Sequence, residues 1–221
     1  MAAVAPVPVV SGTAQIGAAT ADEGGVANRS RRRRSERGAA LLEAALVTPV
    51  FLLIVFGILE MGLLFRDSLT TDNASREGAR AASTRGNEGD ADYFVLRTIE
   101  HGLEAMGLER LQYVVIFKAT GPGDTLPGAC ATASQAGLCN RYTAADFFAE
   151  LDDSSGNDTG NFRCGALDSS WCPTTRETSL SAGTDFIGIH VQTRHDFVTG
   201  MFSGGNDLGE TTILRLEPDE D

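Results

Sequence analysis

Hydrophobic residues are concentrated in one stretch of the chain, residues 39–65, whereas apolar and polar residues are mixed elsewhere. Between Arg37 and Arg66 the only charged residues are Glu43 and Glu60. A helix over this stretch would be about 40 Å long at ~1.5 Å per residue, and the hydrocarbon core of a bilayer is roughly 30 Å thick. The pattern therefore predicts a transmembrane helix. A secretory signal fits less well, because its apolar region has only about 7–15 residues.

The helical pattern continues beyond the apolar stretch, and we predict a helix extension over residues 66–85. Small residues recur every four positions on one face of this extension: Ala74, Gly78 and Ala82. Such a stripe allows another backbone to approach closely. The alternative is that alanine simply favours helix, but Gly78 costs about 1 kcal/mol against alanine in a helix interior, which favours a packing role.

Residues 86–221 are predicted to form a separate domain with mixed secondary structure. Periodicity indicates a helix over 91–107 and, after it, strands over 111–118, 186–197 and 211–216. The last two strands are expected to pair antiparallel, and the apolar segment 197–202 between them to cover an end of the core. The region 121–183 is irregular apart from a short helix at 144–151. The predicted fold class is α+β: a long N-terminal transmembrane α-helix that extends into a small extracytoplasmic domain with an antiparallel sheet.

All four cysteines fall inside the irregular region: Cys130, Cys139, Cys164 and Cys172. An even number in an exported domain predicts two disulfides, for which three connectivities are possible. The spacings favour the local pairs, the first cysteine with the second and the third with the fourth. Zinc is the competing interpretation, but no pair has the short Cys-x-x-Cys spacing. We therefore expect a disulfide-stapled region and no metal site.

Charge is distributed unevenly along the chain. Residues 1–38 carry a net +3, residues 39–65 carry −2 and residues 66–221 carry −13, within a total of −12. Cationic residues beside a membrane helix are retained in the cytoplasm, and here they are Arg31, Arg32, Arg33, Arg34 and Arg37. We expect residues 1–38 to be a disordered basic leader on the cytoplasmic side. A nucleic-acid signal is the alternative for the arginine run, but the acidic domain argues against nucleic acid as a partner.

Enzymatic chemistry finds no support in the residues. There is no Gly-x-Ser-x-Gly elbow, no phosphate-binding glycine-rich loop and no His-Glu-x-x-His motif. His190 and His195 differ in parity, so one regular strand would point them to opposite faces. We expect a protein that is not an enzyme and has no cofactor.

Glu43 is the unusual residue of the apolar stretch, because a carboxylate near or inside hydrocarbon costs a few kcal/mol. It could simply lie among the lipid headgroups. The residues before it suggest more: a basic run is followed by Gly38, Ala39, three further positions and then Glu43. This arrangement resembles the site at which prepilin peptidases cut type IV pilin-like precursors.

Further segments carry a more specific resemblance. They are Glu36–Glu43 with Pro49 and Gly57–Glu60, then Ala74–Ala82 (Ala-Ser-Arg-Glu-Gly-Ala-Arg-Ala-Ala), then Val191–Phe202 and Leu214–Pro218. Together they resemble the TadE-like pseudopilins of the tight-adherence (Tad/Flp, type IVc) pilus system. The similarity covers residues 36–85 well and residues 186–218 loosely.

The resemblance implies a processed, non-enzymatic membrane protein that takes part in pilus assembly as a minor pilin. A prepilin peptidase would cut between Gly38 and Ala39, and Glu43 would then lie one helical turn from the new amine or near a neighbour's. Its partners would be the membrane, that peptidase, other pilin or pseudopilin subunits and Tad assembly proteins. An uncleaved single-pass surface protein with an adhesive or sensory outer domain is the alternative, and a membrane-anchored enzyme comes third.

Overall fold

The computed structural model describes residues 24–151, 160–200, 202 and 204–218, with the backbone alone at 24–37 and 148–150. The chain divides into two units, residues 1–54 and 55–221. The described part of the first unit consists of the beginning of one long helix. All other helices and strands belong to the second unit.

That long helix, α1, runs from Gly24 to Arg85 over 62 residues and contains Pro49. The predicted continuation past residue 65 is present in the structure. The helix begins within the segment that was predicted to be disordered, where alanine, arginine and glutamate favour helix locally. Residues 1–23 lie outside the described part of the chain. Gly86, with φ of +53°, follows the last helical residue, as is usual for a helix C-terminus.

The second unit adds two helices and one sheet, which confirms the predicted α+β class. The elements in chain order are α2 (Ala91–Leu103), β1 (Leu111–Ala119), β2 (Cys139–Thr143), α3 (Ala144–Glu150), β3 (Phe186–Asp196) and β4 (Gly205–Arg215). Single 3-10 turns occupy Leu108–Arg110 and Pro173–Thr175. The four strands pair antiparallel in the order β2-β1-β3-β4.

The boundaries of several elements differ from the prediction. The helix expected over 91–107 ends at Leu103, and Gly107, with φ of +98°, lies in the turn that leads to β1. The short strand β2 was not predicted at all. The last strand begins at Gly205 rather than at residue 211, because pairing with β3 continues without interruption as far as Asp196. The local Gly-Asn-Asp sequence is typical of a turn, but the cross-strand ladder overrides that preference.

The main core lies between one face of the sheet and the two helices α1 and α2. Ile187, Ile189 and Val191 alternate along β3 and are fully buried there, as the period-two pattern predicted. They pack in one cluster with Ala74 of α1 and Ile99 of α2. Residues 66–85 are therefore part of the domain's core as well as an extension of the apolar helix.

A smaller core covers the opposite face of the sheet. It contains Val115 and Phe117 of β1 together with Cys130 and Cys139. Gly188 of β3 makes room for it, because a Cβ atom there would lie 2.3 Å from the Phe117 ring. The irregular region thus closes the second face of the sheet, which explains why a long segment with little regular structure is retained in a small domain.

Candidate functional site

The residues of the predicted processing site lie on α1 and are exposed. Gly38, Ala39 and Glu43 are all accessible in the described unit that ends at residue 54. A Cβ atom added at Gly38 would meet nothing within 4 Å. The peptide bond that follows Gly38 belongs to the helix. The backbone of Arg31–Arg34 and Arg37 is helical too, but their side chains lie outside the described part of the structure.

The surface of α1 beyond Glu43 is apolar and uncovered. Within Gly38–Arg85 one 18-residue window has a mean hydropathy of 2.4 and is not buried in the structure. The helix is long and apolar enough to cross a membrane, by length and composition. Large exposed side chains continue as far as Phe65 and Leu69, at 66% and 63% exposure. Such a continuous apolar surface is typical of a membrane-facing helix.

The small-residue stripe packs inside the domain. Ala74 and Ala82 are fully buried. A Cβ atom at Gly78 would lie 2.7 Å from Cγ1 of Ile99 and 3.4 Å from Cγ2 of Ile189. Gly102 of α2 approaches from the other side, where an added Cβ would lie 3.1 Å from Cα of Ala74. The backbone that the stripe admits is therefore the chain's own α2.

Glu60 is buried, although it belongs to the exposed apolar helix. Its exposure is 0%, and its carboxylate accepts a hydrogen bond from the backbone N–H of Thr199. Thr199 lies in the connection between β3 and β4. The fold therefore removes from the helix surface the one charged group between Glu43 and Arg66.

Two turns further along α1, Asp67 forms a second buried contact with the domain. Its Oδ2 atom lies 2.6 Å from Nδ1 of His195 and also accepts a hydrogen bond from Arg110. The side chains of Asp67 and His195 are 2% and 1% exposed. Thr71, one turn later, contacts Thr193 at 2.8 Å between the two hydroxyl oxygens. These polar contacts hold β3 against the helix at a defined register.

His190 and His195 point to opposite faces of β3, as their parity predicted. His190 lies 2.8 Å from Oγ1 of Thr211, on the side away from Asp67. Burial lowers the pKa of His190, while its hydrogen bond to Gln192 acts in the other direction. Within the described ranges, no group of three histidine, cysteine or acidic side chains could hold a metal ion.

The described residues of the segment 197–202 do not cover an end of the core, so that expectation was wrong. Its described apolar residues turn outward beside α1: Val198 is 70% exposed and Phe202 is 45% exposed. Phe202 and Phe197 stack with ring centroids 5.2 Å apart and line a cavity together with Met61 and Leu64. The segment follows the apolar side of the helix because Thr199 is bonded to Glu60.

The cysteines pair locally, Cys130 with Cys139 and Cys164 with Cys172. The first pair is fully buried beneath the sheet. Two disulfides in this region accord with the predicted fold class. Between β1 and β3, the described residues otherwise form only β2, α3 and one 3-10 turn, and the disulfides fasten this segment.

A buried charged network joins α2 to the cysteine-bearing region. Arg176 donates to Asp92 at 2.6 Å, and both side chains are fully buried. Asn140 and Tyr142 of β2 also donate to Asp92, at 2.9 and 2.6 Å. Burial, followed by the charge of Asp92, raises the pKa of Tyr142 well above its ordinary value. The network connects α2 to β2 and to the segment that contains Arg176.

Sequence reasoning missed the buried acids for different reasons. Glu60 carried the same signal as Glu43, a single carboxylate in an apolar helix, and could have been singled out by that signal. Asp67 and Asp92 carried none, because acidic residues in amphipathic helices are normally solvated. Their partners lie 128 and 84 positions away in the sequence.

The comparisons with known proteins single out the anchor helix. The family model described as TadE-like protein matches residues 38–80. No curated protein and no solved structure matches the chain. The matched segment begins at Gly38, includes Glu43 and Glu60, and ends within the small-residue stripe. One candidate membrane-spanning helix within a TadE-like segment indicates a membrane-anchored protein. The resemblance seen in the sequence is thereby confirmed over residues 38–80, the segment of this chain that matches the TadE-like family.

Proposed function

We propose that this protein is a TadE-like pseudopilin: a substrate of a prepilin peptidase that is anchored by α1 and takes part in assembling a Tad/Flp-type pilus. The observation that carries the proposal is the family match from Gly38 to residue 80, because it begins at the residue that would precede the cut. The role is structural rather than enzymatic. In this arrangement the arginine-rich end is cytoplasmic and the disulfide-bearing domain lies outside, where an oxidising environment preserves disulfides.

The proposed cut falls in a helical part of the chain, so the peptidase must open the backbone before it can attack. Gly38 makes that opening easier, because glycine in a helix interior is destabilising by roughly 0.5–1 kcal/mol relative to alanine. Its open surroundings also leave space for a protease on that side. Exposure of Gly38 and Ala39 in the described unit supports access to the bond.

After cleavage Glu43 would lie four residues from a new terminal amine at Ala39. Residues four apart are neighbours on a helix surface. An ion pair between the carboxylate and that amine, or the amine of an adjacent subunit, would neutralise both charges where the dielectric constant is low and the attraction is strong. The Glu43 carboxylate would then need the amine that cleavage creates, and that amine would need the carboxylate as its counter-charge.

The test is the N-terminal sequence and intact mass of the protein recovered from membranes of its own host. We expect a mature chain that starts at Ala39. The variant Gly38→Val should remain uncut, because a branched side chain would replace the glycine that precedes the bond. Gly57→Val is the matched control, since an added Cβ meets nothing within 4 Å there either. A mature protein that starts near Met1 would overturn the proposal and favour the uncleaved surface protein.

A further inference from the structure

The described residues of the β3–β4 connection, Phe197–Gly200 and Phe202, are called here the hairpin tip. Val198 and Phe202 are its exposed apolar residues. Among the described side chains outside α1, Leu180 alone joins them as a large hydrophobic residue with such exposure. Both residues belong to one loop, and exposed hydrophobic side chains of this size are poorly solvated by water.

The hairpin tip and α1 enclose an open apolar groove of about 630 Å³. Its walls are Phe56, Leu59 and Leu63 on the helix and Val198 on the tip. Glu60 and Thr199 also line the groove, and the Glu60 carboxylate accepts a hydrogen bond from the backbone N–H of Thr199. Apart from Glu60, the described residues that line the groove carry no charge.

The depth of the groove in a membrane can be inferred from the length of the apolar segment. A span of about 20 residues is needed to cross the hydrocarbon core. A span of that length ends near Ile58 if it begins at Ala39 and near Leu63 if it begins immediately after Glu43. In both cases Phe56, Leu59 and Glu60 lie at or close to the hydrocarbon edge, and the hairpin tip lies beside them.

An ionised Glu60 at that depth would be costly if it faced lipid. The fold covers it with the backbone of Thr199, and the segment that provides this cover must itself enter the same layer. Val198 and Phe202, on both sides of Thr199 in the sequence, supply the apolar surface that such a position requires. Removal of apolar surface from water is favourable in proportion to its area, which favours lipid contact over water for both side chains.

We propose that the hairpin tip is a second membrane contact: Val198 and Phe202 lie in the hydrocarbon layer beside α1, and lipid acyl chains fill the groove. The domain would then be held at two points rather than on one helix, which restricts its rotation about the helix axis. The inference rests on the membrane anchoring in the proposed function but not on cleavage at Gly38. A lipid occupant is favoured because the groove is lined mostly by apolar side chains and continues the exposed apolar surface of the membrane-spanning helix.

The experiment places a tryptophan at the tip and measures contact with lipid directly. Full-length Val198→Trp and Phe202→Trp proteins are reconstituted into phosphatidylcholine and phosphatidylglycerol vesicles whose acyl chains carry bromine, a contact quencher of tryptophan. The native Trp171 is 3% exposed and gives a constant background that the wild-type protein measures. We expect brominated lipid to remove most of the additional emission of both variants and to leave that of Trp171 unchanged.

Leu180→Trp is the matched control. Leu180 is 76% exposed, and its loop adjoins the other end of the helix, where Nδ2 of Asn87 donates to Thr178 at 3.1 Å. That end is 27 residues beyond Glu60, about 40 Å at ~1.5 Å per residue, and therefore far from lipid. Its emission should remain unquenched. An unchanged far-ultraviolet spectrum and intact disulfides identify the variants that are folded.

If tip variants with a native fold are quenched no more than Leu180→Trp, the inference is wrong, and a protein partner is the occupant to seek. The vesicles contain no other protein, so a loss of tryptophan emission in them cannot be caused by contact with a neighbouring pilin. A protein that is cut at Gly38 in its host but unquenched at the tip would refute this inference alone. A protein that is quenched at the tip but uncut would refute the pilin function alone.

Discussion

The backbone N–H of Thr199 donates a hydrogen bond to the carboxylate of Glu60, which joins two residues 139 positions apart in the sequence. One is the last charged residue before Arg66 on an apolar helix, and the other is in the loop between the final two strands. The contact explains how an acidic residue is accommodated on a helix whose neighbouring surface is exposed and apolar. It also positions the hairpin tip beside that surface.

The first prediction concerns this contact. In Glu60→Ala the Thr199 amide loses its acceptor, so its hydrogen exchange should become faster, whereas Glu60→Gln keeps a carbonyl acceptor and should retain most of the protection. Hydrogen exchange measured on detergent-solubilised protein distinguishes the two variants. Glu104→Ala, at a carboxylate that is 67% exposed, should leave the Thr199 amide unchanged. Equal exchange in the wild type and Glu60→Ala would contradict the assignment.

The second prediction concerns the glycine in the small-residue stripe. Gly78→Ala should destabilise the protein by about 1 kcal/mol, because overpacking costs typically 1–3 kcal/mol and exceeds the gain in helix propensity of roughly 0.5–1 kcal/mol. Gly62→Ala, in the same helix with nothing within 4 Å of the added Cβ, should be neutral or stabilising. Denaturant unfolding measures both.

Ile99 supplies the atoms nearest to the added methyl group, at 2.7 and 2.8 Å. Ile99→Ala alone should destabilise the core by about 2–5 kcal/mol. In the double variant, the methyl group added by Gly78→Ala should not lower the free energy of unfolding any further, because the Ile99 atoms that obstruct it are absent. Additive free energies of unfolding would show that the two positions are uncoupled and that the packing interpretation is wrong.

The third prediction compares a buried ion pair with an exposed one. Asp92→Ala leaves Arg176 charged and buried without its carboxylate, and removal of one partner from such a pair costs about 3–5 kcal/mol. Asp196→Ala breaks a pair with Arg194 in which the side chains are 44% and 70% exposed, so its cost should be below about 1 kcal/mol. Similar losses of unfolding free energy in the two variants would contradict the structural role given to Asp92.

These cases show how far the sequence could predict the fold. The periodicity of α1 past residue 65 and the alternation along β3 predicted both elements, because their apolar residues face one core. The strand β2 was missed because its five residues, Cys139–Thr143, have no alternation of their own and are held by pairing with β1. The start of β4 was placed too late because local turn preference was weighed without its partner strand.

The residues of the candidate site also differ in how far the sequence could predict them. Gly38, Ala39 and Glu43 could be singled out as a candidate processing site from spacing alone, because the predicted recognition is local in sequence. The burial of Glu60 and Asp67 could not, because each depends on a residue from the β3–β4 region more than a hundred positions later. A single carboxylate in an apolar helix indicates that a partner is needed, but the sequence does not reveal which segment provides it.

The fourth prediction concerns pH. Burial lowers the pKa of His190 below its ordinary value of 6.5, so the folded state binds a proton less readily than the unfolded state. The contribution of neutral His190 to stability is therefore fully present above about pH 6.5 and is lost as the pH falls toward the lowered value. The free energy of unfolding of His190→Asn should depend less on pH in this range. His101→Asn, at a side chain that is 66% exposed, should keep the wild-type dependence. Identical pH profiles for wild type and His190→Asn would contradict the role of burial.

The last prediction concerns Glu43, which is exposed on α1. Replacing it by alanine removes a carboxylate from an apolar helix, so membrane insertion should be as good as in the wild type or better. The processed amine at Ala39 would then lack its counter-charge. We therefore expect Glu43→Ala to accumulate in membranes but fail to support pilus formation in a host that lacks the native copy.

Leu42→Ala, at an adjacent side chain that is 65% exposed, is the control for local disturbance and should form pili. Electron microscopy of the cells, with immunoblots of the membrane fraction, separates loss of assembly from loss of protein. Normal piliation by Glu43→Ala would show that the carboxylate has no part in assembly, and its position near the headgroups would then suffice to explain it.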